Sequence, residues 1–256
     1  MSFKSNLLSY INEYTDHKVY ATNPNTGVTS YRTYKVPYYM SGLIGSSIGG
    51  KCTPAEISSY IRSQNINWVN DNFNSYELKS SSIIQNQMKT ATHIIGTGID
   101  CSGFAYYVLN EASKSTSAPN GTLKPAFNNV SYGSGISAAS LCSTTKGTLI
   151  TKAQDIKVGC TIYLTGHVMV VYDVIKNTNG DVTRIDYAHS QRHFLNSDLV
   201  TDLANSGPNK GYITIGDKTK NLGDSSQTWN DINGLGPYLK NIYQHTTLLT
   251  CISNLV

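Results

Sequence analysis

Three apolar runs follow one another in the second half of this chain: Cys160-Thr161-Ile162-Tyr163-Leu164, Val168-Met169-Val170-Val171-Tyr172 and Val182 to Ala188. Each is short and rich in β-branched and aromatic residues, the texture of a β-strand. Asn177-Thr178-Asn179-Gly180-Asp181 lies between the last two and has the residue types that close a hairpin. Tyr212-Ile213-Thr214-Ile215 reads as a further short strand. Helical patterns come earlier in the chain, so an α+β domain is expected, with helices first and an antiparallel sheet afterwards.

Met1 to Asp16 places Phe3, Leu7, Leu8, Ile11 and Tyr14 on one helical face and predicts an amphipathic helix. A turn-rich stretch, Asn23-Pro24-Asn25-Thr26-Gly27, follows it. Thr53-Pro54-Ala55-Glu56 is a helix start, with a capping box and proline at the first helical position, and Ile57, Tyr60 and Ile61 supply an apolar face. Residues 65–95 are rich in Asn and Ser and read as a short helix or two, residues 113–135 as a loop, and Ile136 to Cys142 as one or two helical turns. The tail from Ser225 has no clear pattern. The whole, 1–256, is read as a single domain with an N-terminal helical extension over 1–42 and an insertion over 43–95.

Between the helices and the strands stands Gly96-Thr97-Gly98-Ile99-Asp100-Cys101-Ser102-Gly103-Phe104. A glycine-flanked turn runs into Asp100, a good N-cap, and Phe104, Ala105, Val108, Leu109 and Ala112 then recur at helical spacing. Cys101 therefore falls in the first turn of a helix, where unpaired N–H groups and the positive end of the dipole favour an anion. A thiol held there is a candidate nucleophile, given a nearby imidazole.

The other four cysteines, at 52, 142, 160 and 251, make no Cys-x-x-Cys pair, so neither a zinc site nor a regular disulfide framework is indicated, and reduced thiols are expected. The net charge of +4 comes from sparse, evenly spread residues, with no basic stripe for nucleic acid. No apolar run is long enough to span a bilayer, and the N-terminal pattern is not that of a signal peptide.

Of six histidines, His167 has the setting of a base: it stands at the start of an apolar strand, just after Gly166, a rigid mount beside which a neighbouring element has room to approach. Beyond the hairpin, Ile185-Asp186-Tyr187-Ala188-His189 returns, and the expected register sets Ala188 or His189 opposite Gly166–His167. His189 is then the candidate for the group that orients the base. A one-residue bulge would put Ser190 or Gln191 there instead.

Asp100-Cys101-Ser102-Gly103-Phe104, followed some sixty residues later by Gly166-His167-Val168 on a strand and then by a polar residue on the next strand, resembles the NlpC family of papain-like cysteine peptidases. The resemblance covers roughly residues 96–195. In that family a tyrosine from an aromatic motif lines the site; Tyr38-Tyr39-Met40-Ser41-Gly42 matches it in part, separated from the cysteine by the segment Leu43 to Ile95. The resemblance implies a papain-like fold and hydrolysis of an amide bond in bacterial peptidoglycan stem peptides, for example γ-D-glutamyl-diamino acid, through Cys101, His167 and His189. Tyr38, Asp100 and Ser102 would contact substrate, and no metal or cofactor is implied. It also leads one to expect a monomer that is secreted, associated with the cell envelope or delivered as an effector. Two other readings of the same residues are acyl transfer from the Cys101 nucleophile and a catalytically inactive wall-binding module.

Overall fold

The computed structural model describes residues 2–22, 26–34, 36, 38, 50–63, 66–68, 76–78, 98–118, 121–122, 126–127, 136–192, 206–230 and 236–245. The chain divides into two compact units: 1–11, 101–190 and 209–256 form the first, 12–100 and 191–208 the second. The limits expected at 42 and 95 do not coincide with a boundary between them.

Helix α1, Phe3–Thr15, carries Phe3, Leu7, Ile11 and Tyr14 as its buried stripe, at the spacing the sequence shows. Two strands that the sequence pattern does not announce flank the turn-rich stretch, of which 23–25 lie outside the described residues: β1, His17–Thr22, pairs antiparallel with β2, Thr29–Tyr34. Only one face of this ribbon is apolar. His17 and Val19 are buried while Tyr20 and Tyr31 are exposed, a weak alternation that the surrounding polar residues mask in the sequence. In the same unit, α2 runs Pro54–Ser63. Thr53 Oγ1 accepts from the Glu56 N–H at 3.2 Å, and Glu56 Oε2 accepts from the Thr53 N–H at 2.8 Å, which is the predicted capping box.

Within 65–95 the described residues are not helical. They form a small antiparallel ladder of β3, Ile66–Trp68, and β4, Tyr76–Leu78; the rest of that stretch, and 41–49, lie outside the described residues.

In the first unit, α3, Cys101–Lys114, is buried along most of its length, including Phe104, Ala105, Val108, Leu109 and Ala112. Two short strands, β5 (Ser117–Ala118) and β6 (Gly121–Thr122), follow, and then α4, Ala138–Leu141, capped by Ser137. The remaining strands are β7 (Gly147–Ile150), β8 (Thr161–Leu164), β9 (His167–Lys176), β10 (Val182–Gln191), β11 (Gly207–Thr214), β12 (Thr228–Trp229) and β13 (Leu239–His245). They make one sheet in the order β12-β11-β10-β9-β8-β13-β7. The ladders from β10 through β9, β8 and β13 to β7 are antiparallel, so the α+β expectation holds. The tail supplies β13, an inner strand that the sequence did not announce. Its last four residues, Ile242, Tyr243, Gln244 and His245, are all buried, so no alternation marks it.

One face of the sheet packs Ile162, Leu164, Met169, Val171, Ile185 and Tyr187 into a core that Trp229 and Leu222 extend. Val168 and Val170, the alternating residues of β9, are fully buried on the other face, and α3 packs against this strand.

Candidate active site

Cys101 is the first residue of α3 and is 6% exposed. Its Sγ lies 4.0 Å from the carbonyl oxygen of Gly166, the residue before His167. Gly166 and Thr165 form a two-residue turn, since Leu164 pairs with His167 across β8 and β9. Gly166 has φ +71°, and a Cβ placed on it would meet no atom within 4 Å. The glycine therefore serves the backbone of the turn and not, as its position first implied, the close approach of a neighbour.

His167 is half-buried at the head of β9, and His189 is fully buried on β10. His167 Nε2 is 2.8 Å from His189 Nδ1, a direct imidazole–imidazole hydrogen bond, with the rings 5.0 Å apart and inclined at 68°. The Tyr187 ring packs edge-on against His189 at 5.5 Å. This pair forms by a different register from the expected one, because Ala188 faces Val170 and not Gly166 or His167. The ladder shifts twice, between Val182 and Arg184 and between Asp186 and Tyr187; the extra residue falls once on each strand, so the shifts cancel. His189 consequently reaches His167 as a diagonal neighbour on the same face. No family model, curated protein or solved structure matches this chain. The chemistry of the site therefore has to be read from its own geometry.

Burial, and then the His189 imidazole beside it, hold His167 well below the usual histidine range, so at neutral pH it is an uncharged base. Ser102, also in this unit, is 3% exposed and its hydroxyl donates to the Ile136 carbonyl at 3.2 Å, which ties the first turn of α3 to the chain leading into α4. Tyr38 and Asp100 belong to the second unit. Tyr38 is half-buried; Asp100 is 7% exposed and accepts from the buried Lys51 ammonium, while its N–H donates to the Gly50 carbonyl at 2.8 Å. The geometry around Ser102 and Asp100 is that of groups engaged with the protein.

Cys52, Cys142 and Cys160 are buried thiols, as is Cys101, and Cys251 lies outside the described residues. Burial pushes Cys142 and Cys160 up to about 12, which keeps both as inert thiols. Among the described residues no three His, Cys, Asp or Glu side chains gather to hold a metal ion.

His245, unremarkable in sequence, is buried at the end of β13. Its Nε2 lies 3.2 Å from Thr161 Oγ1, which accepts from the Cys142 thiol at 3.5 Å, and the Phe127 ring meets it at 4.6 Å. Burial pushes it down to about 4. The unfolded chain takes up that proton near pH 6.5 and the folded one does not until about 4. The stability of the neutral form is therefore complete above 6.5 and is lost as pH falls. From His245 alone the loss is about 3 kcal/mol by pH 4. His17, bonded to the Glu13 carbonyl and to Ser58, is also lowered by burial and adds in the same direction. Urea unfolding at pH 7 and at pH 4.5 should show the drop, and a His245→Gln variant should show less of it. Equal pH dependence in both proteins would remove His245 as the cause.

Proposed function

We propose that the protein is a papain-like cysteine peptidase or amidase that hydrolyses an amide bond of bacterial peptidoglycan stem peptides. The observation that supports this most directly is the alignment of Cys101, at a helix start, with the Gly166–His167 strand head and the His167–His189 hydrogen bond. With His167 Nε2 engaged by His189, Nδ1 is the ring nitrogen left for proton transfer. For Nδ1 to accept, Nε2 must carry the hydrogen and donate it to His189 Nδ1, so His189 bears its own proton on Nε2.

Cys101 then attacks the substrate carbonyl as His167 takes the thiol proton. The backbone N–H of Cys101, at the dipole end of α3, offers a donor to the oxyanion. The protonated His167 passes its proton to the leaving amine, and water, activated by the same imidazole, releases the acyl group. A neutral imidazole in the orienting place fixes the tautomer and stabilises the imidazolium less than a carboxylate would. The acyl-enzyme and both proton transfers need no metal or cofactor.

Incubation with purified wall fragments and mass analysis of the products tests the proposal: new peptide ends at one bond support it, and intact fragments at high enzyme concentration refute it. His189→Ala is expected to lower kcat by about 10- to 10⁴-fold, less than replacement of Cys101 or His167, because a misoriented imidazole still visits the productive pose. Gln191→Ala should be nearly silent. Damage at Gln191 with none at His189 would assign the orienting role to the wrong residue.

A further inference from the structure

Four rings stand in a row inside the first unit, and the proposed base is the last of them. Trp229 packs on Tyr187 with ring centroids 5.6 Å apart, Tyr187 meets His189 edge-on at 5.5 Å and 87°, and His189 meets His167 at 5.0 Å. Tyr187 and His189 are alternate residues of β10 and share one face of the sheet. Both are fully buried, whereas His167 is half-buried, so the row runs from the core toward solvent.

The far end of the row is fixed. The Trp229 indole N–H donates to the Leu222 carbonyl at 2.9 Å, and Trp229 pairs with Ile213 across β12 and β11. Gly236 lies against the indole, since a Cβ placed on it would come within 3.1 Å of the ring nitrogen. Tyr187 is thus held between a fixed indole and the His189 imidazole.

The use of such a brace follows from the shape of an imidazole. The torsion that turns a histidine ring has broad, roughly two-fold wells, so a half-turn is open to it unless packing forbids it. A carboxylate in the orienting place offers an equivalent oxygen after a half-turn. An imidazole does not: turning His189 over takes Nδ1 away from His167 Nε2 and puts a carbon-bound hydrogen in its place. His167 then loses the acceptor that keeps its hydrogen on Nε2. In a close-packed core the ring cannot turn unless its perpendicular neighbour gives way, and that neighbour is Tyr187.

We infer that Tyr187 is a positioning residue of this site: its ring, braced by Trp229, keeps the His189 imidazole in the pose that presents Nδ1 to His167. The effect on turnover rests on the peptidase reading above; the pose of His189 does not. The ring acts and not the hydroxyl, so phenylalanine should serve in its place.

The first measurement is nitrogen NMR of the full chain with isotope-labelled histidines at neutral pH, where each ring nitrogen reports whether it carries hydrogen. Wild-type His167 should show one tautomer, with a slowly exchanging hydrogen on Nε2, and His167→Gln assigns the signals by removing them. Tyr187→Leu should give a mixture of both tautomers and a fast-exchanging N–H, and Tyr187→Phe should keep the wild-type pattern. Should the leucine variant fail to fold, Trp229→Phe, which shortens the brace and keeps a ring, should move the populations the same way to a lesser extent. The second measurement is turnover of wall fragments. Tyr187→Leu is expected to lower kcat by about 10- to 100-fold with KM within about twofold, and Tyr187→Phe to stay within about twofold of wild type in both. In a His189→Ala background the leucine substitution should cost nothing further, because the ring it releases is already gone.

A single tautomer in a folded Tyr187→Leu protein, or in Trp229→Phe where that stands in for it, would overturn the inference. So would an undiminished loss of kcat on top of His189→Ala, which would make Tyr187 a core residue and nothing more. A phenylalanine variant as poor as the leucine one would place the role on the hydroxyl, and a wild-type His167 without a fixed hydrogen on Nε2 would leave Tyr187 nothing to hold; either result defeats the inference. Tautomer mixing in the leucine variant and not in the phenylalanine one, in a protein inert on wall fragments, would sustain it and defeat only the peptidase reading.

Discussion

Replacing Cys101 with alanine is expected to abolish hydrolysis while leaving the fold intact. Cys101 begins α3 with its thiol at the Gly166 carbonyl, so the sulfur is placed at the strand head that carries His167, the proposed base. Removing it removes the acyl acceptor itself, and activity should fall by about 10⁴-fold or more. The structural cost should be small, because the change removes one sulfur atom from the first residue of α3 and leaves the helix backbone as it is; a change within about 1 kcal/mol is expected. Cys160→Ala is the informative contrast. Its thiol is fully buried, donates to Gln244 Oε1 at 2.9 Å and lies in the sheet core, so this variant should melt earlier and still turn over substrate. The comparison needs a melting curve and a product assay on both proteins. If Cys101→Ala loses its cooperative transition along with activity, the cysteine is structural and the choice of nucleophile reopens.

The parts of this fold that could be read in the sequence are those in which a local rule acts alone. The β9–β10 hairpin turn is one. Asn177 Oδ1 accepts from the N–H groups of Asn179 and Asp181, and Gly180 takes φ +81°, all within a few residues of chain. The Thr53 capping box and the α3 start are others. The pairing of His167 with His189 was legible as a partnership but not as a register: the two shifts cancel, so the Val182–Lys176 pairing beside the turn already sets Ala188 opposite Val170, and His189 meets His167 as a diagonal neighbour. β13 was invisible for the opposite reason: an inner strand buried on both faces, with Gln244 and His245 among its buried residues, shows neither alternation nor an apolar run. The chemistry that makes His245 a buried neutral histidine comes from Thr161 and Phe127, far away in sequence. The burial of Lys51 had no local signal either. A single lysine after two glycines looks like loop, and its partner lies forty-nine positions on.

That lysine gives the largest expected effect on stability. Lys51 is 2% exposed, and its ammonium donates to Asp100 Oδ2, whose side chain is 10% exposed. The pair is framed by backbone. Lys51 bridges Ile99 in antiparallel fashion, the Asp100 N–H donates to the Gly50 carbonyl, and the Cys52 N–H donates to the Gly98 carbonyl at 3.2 Å. Neither charge can turn to solvent without opening that framework. In such a setting the intact pair contributes little net stability, because desolvating two ions offsets most of their attraction, whereas removing one partner strands the other. Lys51→Met keeps the length of the side chain and removes the charge, and should cost about 3–5 kcal/mol. Lys51→Met combined with Asp100→Leu removes both charges and should recover most of that loss, so the coupling between the two sites should be large and favourable. Denaturant unfolding of wild type, the two single variants and the double variant measures it directly. A Lys51→Met cost below about 1 kcal/mol would show that water reaches the pair and screens it. Additive losses in the double variant would show that the two residues act separately, each through its own packing.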